Sequence, residues 1–446
     1  MFDRNILSYL GKWKIKQHRK PLVLRGARQV GKTYAVKLFA QKHGFDLVNI
    51  NLDKAEDYEL FKAVKSLSDF EKTVDIALKK KIEPGRTLIF IDEIQNAPDL
   101  IALLRFFYEE RPDIHVIAAG SLLEVKIEKE GFSMPVGRVE YAYMHPLTFF
   151  EFLSACDEGN LLDFLKNLAP DDGIPSSIHA RAMELFNSYT LIGGMPEAVS
   201  LYAKKSSQEE INAVYSSLMT AYAEDIYKYA GSAEVKYIRH VLEQAPYFAG
   251  ERVTYEKFGG SGFRSREMSE AFSTLEKAML LRQTPATSSL ELPLVPKKKR
   301  AKKLFYLDSG FVNFKNNIQS EYINLSDLGG LFRGKIAEQI VGQNIIAGTM
   351  HSEQPLYYWA KENPGGSAEV DFCIPWEGKA LGIEVKSGHS AKLGSLMSFG
   401  KSVENSRLLR IYSGSFAREE IASNGNKRVL TSLPFYLINR FFDFCR

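Results

Sequence analysis

The segment Gly26-Ala27-Arg28-Gln29-Val30-Gly31-Lys32-Thr33 follows directly on the apolar run Leu22-Val23-Leu24. Two glycines spaced around four residues, then lysine and a hydroxyl residue, form the phosphate-cradling P-loop pattern. A buried strand delivers the chain to a tight turn, where glycines let several backbone N–H groups point at one anion. The helix opening near Lys32 adds the positive end of its dipole. In this pattern Lys32 reaches the β- and γ-phosphates of ATP, and the Thr33 hydroxyl helps hold Mg²⁺. Gly26 through Thr33 are the expected nucleotide-binding residues, and the expected fold class is α/β.

Downstream apolar runs extend the same sheet. Residues 32–43 read as a helix, 47–53 as a strand, and 56–80 carry helical periodicity. Thr87-Leu-Ile-Phe-Ile-Asp92-Glu93 is a continuous apolar run, as expected of a central parallel strand, and it ends in two carboxylates. Open α/β sheets bind ligands at that carboxyl edge. Asp92 is therefore expected in the magnesium shell, with Glu93 as the general base that polarises the attacking water. A helix from Pro98 to about Glu110 leads to the strand His115–Ser121. Ser121 stands where either a γ-phosphate sensor or a helix N-cap belongs. Arg138, in Val136-Gly137-Arg138-Val139, reads either as a surface charge or as an arginine finger. Residues 5–20 form an amphipathic helix ending in a basic, solvated lead-in.

Composition excludes several classes. With 45% hydrophobic and 25% charged residues over 446 positions, the chain is an ordinary globular protein of two to four domains. A net charge of +4 permits a nucleic-acid partner without demanding one. Cys156, Cys373 and Cys445 are scattered, which argues against a disulfide scaffold or a cysteine–zinc module. No signal peptide is visible, and no stretch approaches the roughly 18 apolar residues of a membrane span. A cytoplasmic protein with no membrane partner is expected.

The P-loop is followed by Phe90-Ile-Asp-Glu-Ile-Gln95, Ala119-Gly-Ser121, Gly137-Arg-Val139, Pro146-Leu-Thr-Phe-Phe-Glu-Phe152 and Ile192-Gly-Gly-Met-Pro196-Glu197. This series resembles the prokaryotic AAA-type P-loop ATPases that carry a C-terminal restriction-endonuclease-like domain of uncharacterised role. The resemblance implies an ATPase core at 1–150, a helical lid at 151–231, a winged-helix-like module at 232–325 and a nuclease-like α/β domain at 326–446. It also places Arg138 near the nucleotide, in cis or from a neighbouring subunit, since AAA proteins often form homo-oligomers. Tyr222-Ala-Glu-Asp225-Ile226 recurs in the family too, and reads here as a helix packing on the lid.

In the middle module, helices are expected near 234–246, 253–258 and 265–281, with strands near 280–284 and 303–306. Arg264, Arg266 and Lys277 are candidate phosphate contacts of a recognition helix. Lys297-Lys-Lys-Arg-Ala-Lys-Lys303 reads as an exposed wing, either solvated or neutralising phosphates.

The C-terminal region holds a second constellation. Residues 331–346 read as a helix carrying Glu338; a strand at 369–374, reached through a Gly365-Gly366 turn, carries Asp371; a strand at 380–386 carries Glu384 and Lys386. Strand alternation sets Leu381, Ile383 and Val385 on one face and Glu384 with Lys386 on the other. The pattern resembles the PD-(D/E)xK nuclease core, without a proline before Asp371. That resemblance implies Asp371 and Glu384 as ligands of Mg²⁺ or Mn²⁺, Lys386 as catalytic lysine and Glu338 as an accessory acid. Two functions stay open: an ATP-driven, metal-dependent nuclease acting on nucleic acid, DNA foremost, or a nucleotide-controlled binding switch whose nuclease-like domain does not cut.

Overall fold

Five strands whose side chains are apolar along most of their length form the N-terminal sheet: β1 (Leu22–Arg25), β2 (Asp46–Asn51), β3 (Thr87–Asp92), β4 (His115–Gly120) and β5 (Glu140–Tyr143). All pair in parallel, in the order β2-β3-β4-β1-β5. Every residue of β3 and β4 is buried, as expected of strands covered on both faces. The P-loop thus leaves the interior of the sheet, between β4 and β5. The computed structural model describes residues 2–121, 123–170, 172–318, 334–348, 350, 355–361, 368–386, 393–402, 407–423 and 426–445. The helical periodicity of 56–80 resolves into two helices, Ala55–Phe61 and Leu67–Ala77, the second N-capped by Ser66.

Residues 149–229 are mostly helical, as the pattern predicted, but the helices up to Ile192 have the C-terminal half as their main partner, while Gln208–Tyr229 joins the core of the N-terminal sheet and the middle module. Phe149, Phe152, Leu185 and Tyr189 share one core with Ile340, Phe372, Phe435 and Tyr436. Backbone groups join in: Phe149 N–H donates to Asn344 Oδ1 at 3.1 Å and Phe150 N–H to Asn439 Oδ1 at 3.1 Å.

The middle module contains β6 (Arg252–Val253), β7 (Leu281–Thr284), β8 (Ala286–Thr287) and β9 (Lys302–Tyr306), with helices Ser232–Gln244 and Ser265–Lys277 packed together. β9 lies between β6 and β7 in an antiparallel three-stranded sheet. The helix expected at 253–258 does not form. Arg252 and Val253 pair instead with Lys303 and Lys302, and the chain then turns through Gly259 and Gly260, both at positive φ.

The C-terminal sheet follows the order β14-β15-β13-β12-β11-β10-β8. Its further strands are β10 (Tyr357–Ala360), β11 (Glu369–Trp376), β12 (Lys379–Lys386), β13 (Arg407–Tyr412), β14 (Ala417–Ser423) and β15 (Asn426–Pro434). The helix Lys335–Ala347 packs against β12 and β9. The boundary expected at 325–326 and the Gly365-Gly366 turn lie outside the described residues. The seam itself is nonetheless crossed: β8, from the middle module, pairs in parallel with β10, and Glu291 bridges Lys379. No helix among the described residues is long and apolar enough to cross a membrane.

Candidate functional site

The nucleotide site is assembled where β1 ends. A Cβ added to Gly26 would collide with the Met144 carbonyl oxygen, so only glycine lets the loop pass. Gln29 and Gly31 hold φ of 61° and 96°, turning the backbone before the helix Lys32–His43 opens on Gly31. Ala27 and Val30 are buried and anchor the loop from below. Lys32 is buried, and its Nζ donates to Gly26 O at 2.8 Å and Ala27 O at 2.9 Å. Burial pulls its pKa below the ordinary value, opposed by Glu93 and Asp92. Thr33 Oγ1 donates to Asp92 Oδ2 at 2.6 Å, so two oxygen ligands of the kind Mg²⁺ prefers already converge. Burial pushes the Asp92 pKa up, which a bound cation would reverse.

Glu93 has left-handed backbone (φ 54°), which lifts its side chain off the strand line. Its Oε2 accepts from Gln95 Nε2 and, at 3.2 Å, from Ser121 Oγ. The structure therefore brings Lys32, Thr33, Asp92, Glu93 and Ser121 together. It does not bring Arg138 to them. β5 runs parallel to β1 with Glu140 beside Leu22 and Tyr143 beside Arg25, so Arg138 belongs to the opposite edge of the sheet. At about 3.3 Å per residue it stands roughly 15 Å from the strand ends that carry the loop. There its Nε pairs with Glu109 at 2.7 Å on the exposed surface. Within a single chain, Arg138 is a surface charge.

Two groups that hold the loop from outside, Arg4 and the Tyr222–Asp225 pair, escaped the motif reading. Arg4 donates to Val30 O (2.8 Å), His145 O (2.7 Å) and Glu151 Oε1 (2.9 Å), clamping the loop to Pro146-Leu-Thr-Phe-Phe-Glu-Phe152. Arg28 pairs with Asp225 at 2.9 Å, and Tyr222 Oη donates to Arg28 O at 3.0 Å. The Tyr222–Ile226 segment thus holds the P-loop, beyond its expected packing role. The recurrence of that segment in the resembling family was the signal that could have found it. Lys277 also changes place. It lines a small cavity with Arg25, Gly26, Ser121 and Glu124, beside the P-loop, whereas Arg264 and Arg266 are exposed.

The second cluster forms where β9, β11, β12 and the helix Lys335–Ala347 meet. The register Phe372 to Ile383 sets Asp371 opposite Glu384 one step further along, and Asp371 Oδ2 accepts from Val385 N–H at 2.9 Å. Against β10 the register slips between Val370 and Cys373, an irregularity of the kind that re-aims side chains. Leu381, Ile383 and Val385 face the core as alternation predicted, and Glu384 pairs with Lys386 at 2.7 Å. All four expected residues therefore meet in one cluster.

A fifth residue joins them. Lys303, expected on an exposed wing, is 2% exposed. Its Nζ lies 2.7 Å from Glu338 Oε2, 3.3 Å from Asp371 Oδ1 and 3.6 Å from Glu369 Oε1. β9 alternates like any strand, so its first inward position carries this lysine into the seam, while Lys298, Lys299 and Arg300 stay exposed. Burial pulls the Lys303 pKa down, yet Asp371, Glu338 and Glu369 together raise it above its ordinary value. Burial and Asp371 push Glu338 up to about 8 and Glu384 up to about 7. Glu384 Oε2 is buried and accepts no hydrogen bond from the described residues. Four carboxylates thus share Lys303 and Lys386, with Arg252 on the outer oxygen of Glu369. No group of three Asp, Glu, His or Cys among the described residues is placed to hold a metal ion. In this arrangement the donor set fits an ammonium and does not fit a divalent metal.

Residues 18–153 match the family described as an AAA domain. Residues 183–322 and 333–434 match two domains of unknown function (DUF8612 and DUF4143). The second of these contains Glu338, Asp371, Glu384 and Lys386, whereas Lys303 falls in the first. Among solved structures, a point mutant of RuvB from Thermotoga maritima aligns with 67% of this chain and 94% of its own, at 14% identity and a TM-score of 0.29. No curated protein matches the chain. The N-terminal third is an AAA-type P-loop ATPase domain.

Proposed function

We propose that this chain is an ATP-hydrolysing switch whose nucleotide state governs the carboxylate–lysine cluster of its C-terminal half, and that the cluster acts on nucleic acid, with DNA as the first substrate class. The observation that carries the proposal is the helix Gln208–Tyr229, which touches the ATPase loop and the ties of the second cluster. At one end Tyr222 and Asp225 hold Arg28. Two turns away, Tyr215 Oη donates to Asp308 Oδ1 at 2.9 Å. Asp308 in turn accepts from Gln343 Nε2 at 2.8 Å, on the same helix as Glu338.

Gly26 to Thr33 and Asp92 would hold MgATP, which supplies the transferable γ-phosphoryl group and the charge of its metal. Glu93 is the carboxylate positioned to take a proton from water. Gln95 and Ser121 orient it through the contacts on Oε2. Arg138 contributes to hydrolysis only across an interface between copies of the chain, as a homo-oligomer would supply it.

A second reading is favoured by one observation, the ammonium of Lys303 among the carboxylates with no three-ligand metal group beside it among the described residues. In that reading the C-terminal half grips nucleic acid without cutting it. Labelled linear DNA incubated with Mg²⁺ or Mn²⁺, with and without ATP, separates the two. Cleavage by the wild type, lost in Lys386→Ala and no longer ATP-responsive in Lys32→Ala, is the expected result. Retention of DNA without cleavage, in gel-shift assays under the same conditions, would establish the second reading. Neither cleavage nor retention would remove nucleic acid as the partner.

A further inference from the structure

Where the helix Gln208–Tyr229 gives way to the helix Ser232–Gln244, an open cleft of about 700 Å³ lies apart from the nucleotide site and the carboxylate cluster. We propose that this cleft grips single-stranded nucleic acid, with a base stacked on Tyr227 and a neighbouring phosphate held by Lys236 and Arg239. The assignment rests on the nucleic-acid reading above and deepens it by naming where a strand is held.

The aromatic part of the cleft is exposed and fixed in place. Tyr227 is 59% exposed, although Tyr215 and Tyr222 of the same helix are buried. A ring left in water offers an apolar face for a base to cover, and every base has a matching face. Phe263 also lines the cleft, half-buried. Its ring meets Tyr237 edge-on at 4.8 Å and His240 at 5.4 Å between centroids. His240 is held in turn through its Nε2, 2.8 Å from Phe258 O. Little side-chain freedom is left to lose when a base arrives at this wall.

The charges of the cleft lack partners. Arg239 lies over the Tyr227 ring, its guanidinium carbon 5.2 Å from the centroid, and its Nη2 donates to Tyr227 Oη. Its Nε is buried and finds no acceptor among the described residues. An unmet buried donor is costly, and an anionic oxygen in the cleft would satisfy it. Lys236 stands three residues earlier on the same helix face, exposed, with Nζ 4.9 Å from the Tyr237 ring centroid. Among the described residues neither cation meets a carboxylate; Glu243 lines the cleft and pairs with neither. Surface arginines elsewhere behave differently: Arg105, Arg181 and Arg266 each have a carboxylate neighbour. Arg264, directly after Phe263, is exposed and extends the positive edge.

An exposed ring beside unpaired cations is the combination that tracks a single strand, by stacking on bases and neutralising phosphates. A duplex keeps its bases stacked inside and has none to offer Tyr227. Tyr222 and Asp225, which hold Arg28 of the P-loop, precede Tyr227 on the same helix. A strand bound here therefore rests on the element that touches the ATP loop.

The test is titration of labelled oligothymidylate with the full chain, without nucleotide, read by fluorescence anisotropy over a range of salt. Tyr227→Ala should weaken binding about fivefold or more, the scale of one lost stack, and Tyr227→Phe should recover most of it. Lys236→Gln should reduce the slope of log affinity against log salt by about 0.7, the value of one phosphate contact to a single strand. A strand carrying 2-aminopurine should be quenched on binding to the wild type and less so by Tyr227→Leu. Tyr227 and Lys236 are exposed, so thermal midpoints of these variants should match the wild type.

Strand binding with affinity, salt slope and quenching unchanged in the variants overturns the inference. So does competition by polyglutamate or thymidine monophosphate as effective as by unlabelled strand, and so does the absence of any strand binding. Cleavage by the carboxylate–lysine cluster is read separately, through Lys386→Ala. Strand binding that depends on Tyr227 and Lys236, without cleavage, keeps this inference and removes the nuclease reading. Cleavage lost in Lys386→Ala, with binding indifferent to Tyr227 and Lys236, does the reverse.

Discussion

The two sites of this molecule are built in opposite ways. The nucleotide site takes its lysine, hydroxyl and anion-cradling backbone from eight consecutive residues, and its carboxylates from the end of a strand two places away in the sheet. Its charges are complementary within one element: Lys32 is buried against carbonyls of its own loop. The carboxylate cluster draws on β9, β11, β12 and a helix, across chain separations of 35 and 68 residues for the Lys303 contacts alone. The first is shaped by local backbone geometry and steadied by Arg4 and Asp225 from distant segments. The second is held by ion pairs between four elements that also share an apolar core, in which Phe305 stacks on Phe372.

Several measurements would break or sharpen that contrast. The largest effect is expected from Lys32→Ala, which should lower ATP turnover by about 100-fold or more, the usual scale for a lost contact to transition-state charge. DNA retention without nucleotide should be untouched by this change; a matching loss there would show that the two sites are one unit. Glu93→Gln should retain nucleotide binding, read by fluorescent ATP analogues, while hydrolysis falls by about 100-fold or more.

Next comes Lys303→Met. It leaves three carboxylates facing one another in a buried seam, and removing one partner of a buried charge cluster costs about 3–5 kcal/mol. Thermal unfolding should show the loss, and adding Glu338→Gln should restore part of it, since neighbours in one network are not additive.

The pH dependence carries a definite sign. Burial raises the Glu338 pKa from 4.5 to about 8, so the folded chain keeps a proton that the unfolded chain releases. The stability this group contributes is full below pH 4.5 and is lost as pH rises through about 8. Glu338→Gln should therefore flatten the fall in thermal midpoint between about pH 4.5 and about pH 8. An unchanged slope would place the titration elsewhere.

Smaller effects follow. Asp225→Asn removes the charge that holds Arg28, and about 1 kcal/mol of lost pairing would weaken ATP binding roughly fivefold. Arg138→Ala should leave ATP affinity within about twofold, because an exposed ion pair far from the loop contributes little. If specific activity rises with protein concentration in the wild type but not in this variant, Arg138 serves a neighbouring copy.

The legibility of the chain followed the range of the interactions. The helix Lys32–His43 stood where the glycine–lysine spacing put it, and the apolar runs gave β3 and β4. Strand alternation alone placed Glu384 beside Lys386 and set Leu381, Ile383 and Val385 in the core. Misreadings arose where two distant segments compete for the same backbone or charge. Residues 253–258 carry helical periodicity, yet β9 recruits Arg252 and Val253 into a sheet. Asp225 looked like a packing residue until Arg28 was seen against it.

The sequence by itself determined the P-loop, the parallel sheet that presents it, and the shared face of Glu384 and Lys386. These rest on period, glycine placement and the order of residue types, all of which act within a few positions of the backbone, whereas the AAA type and the joining of Glu338 and Asp371 to that pair were implied by resemblance. Tertiary structure alone decided that Arg138 stands at the far edge of its own sheet and that Lys303 leaves a run of surface cations to lie among carboxylates. Nothing in a seven-residue basic stretch distinguishes its last lysine from the others. The difference comes from desolvation and pairing in a seam that exists only after β9, β11 and the Glu338 helix have packed together.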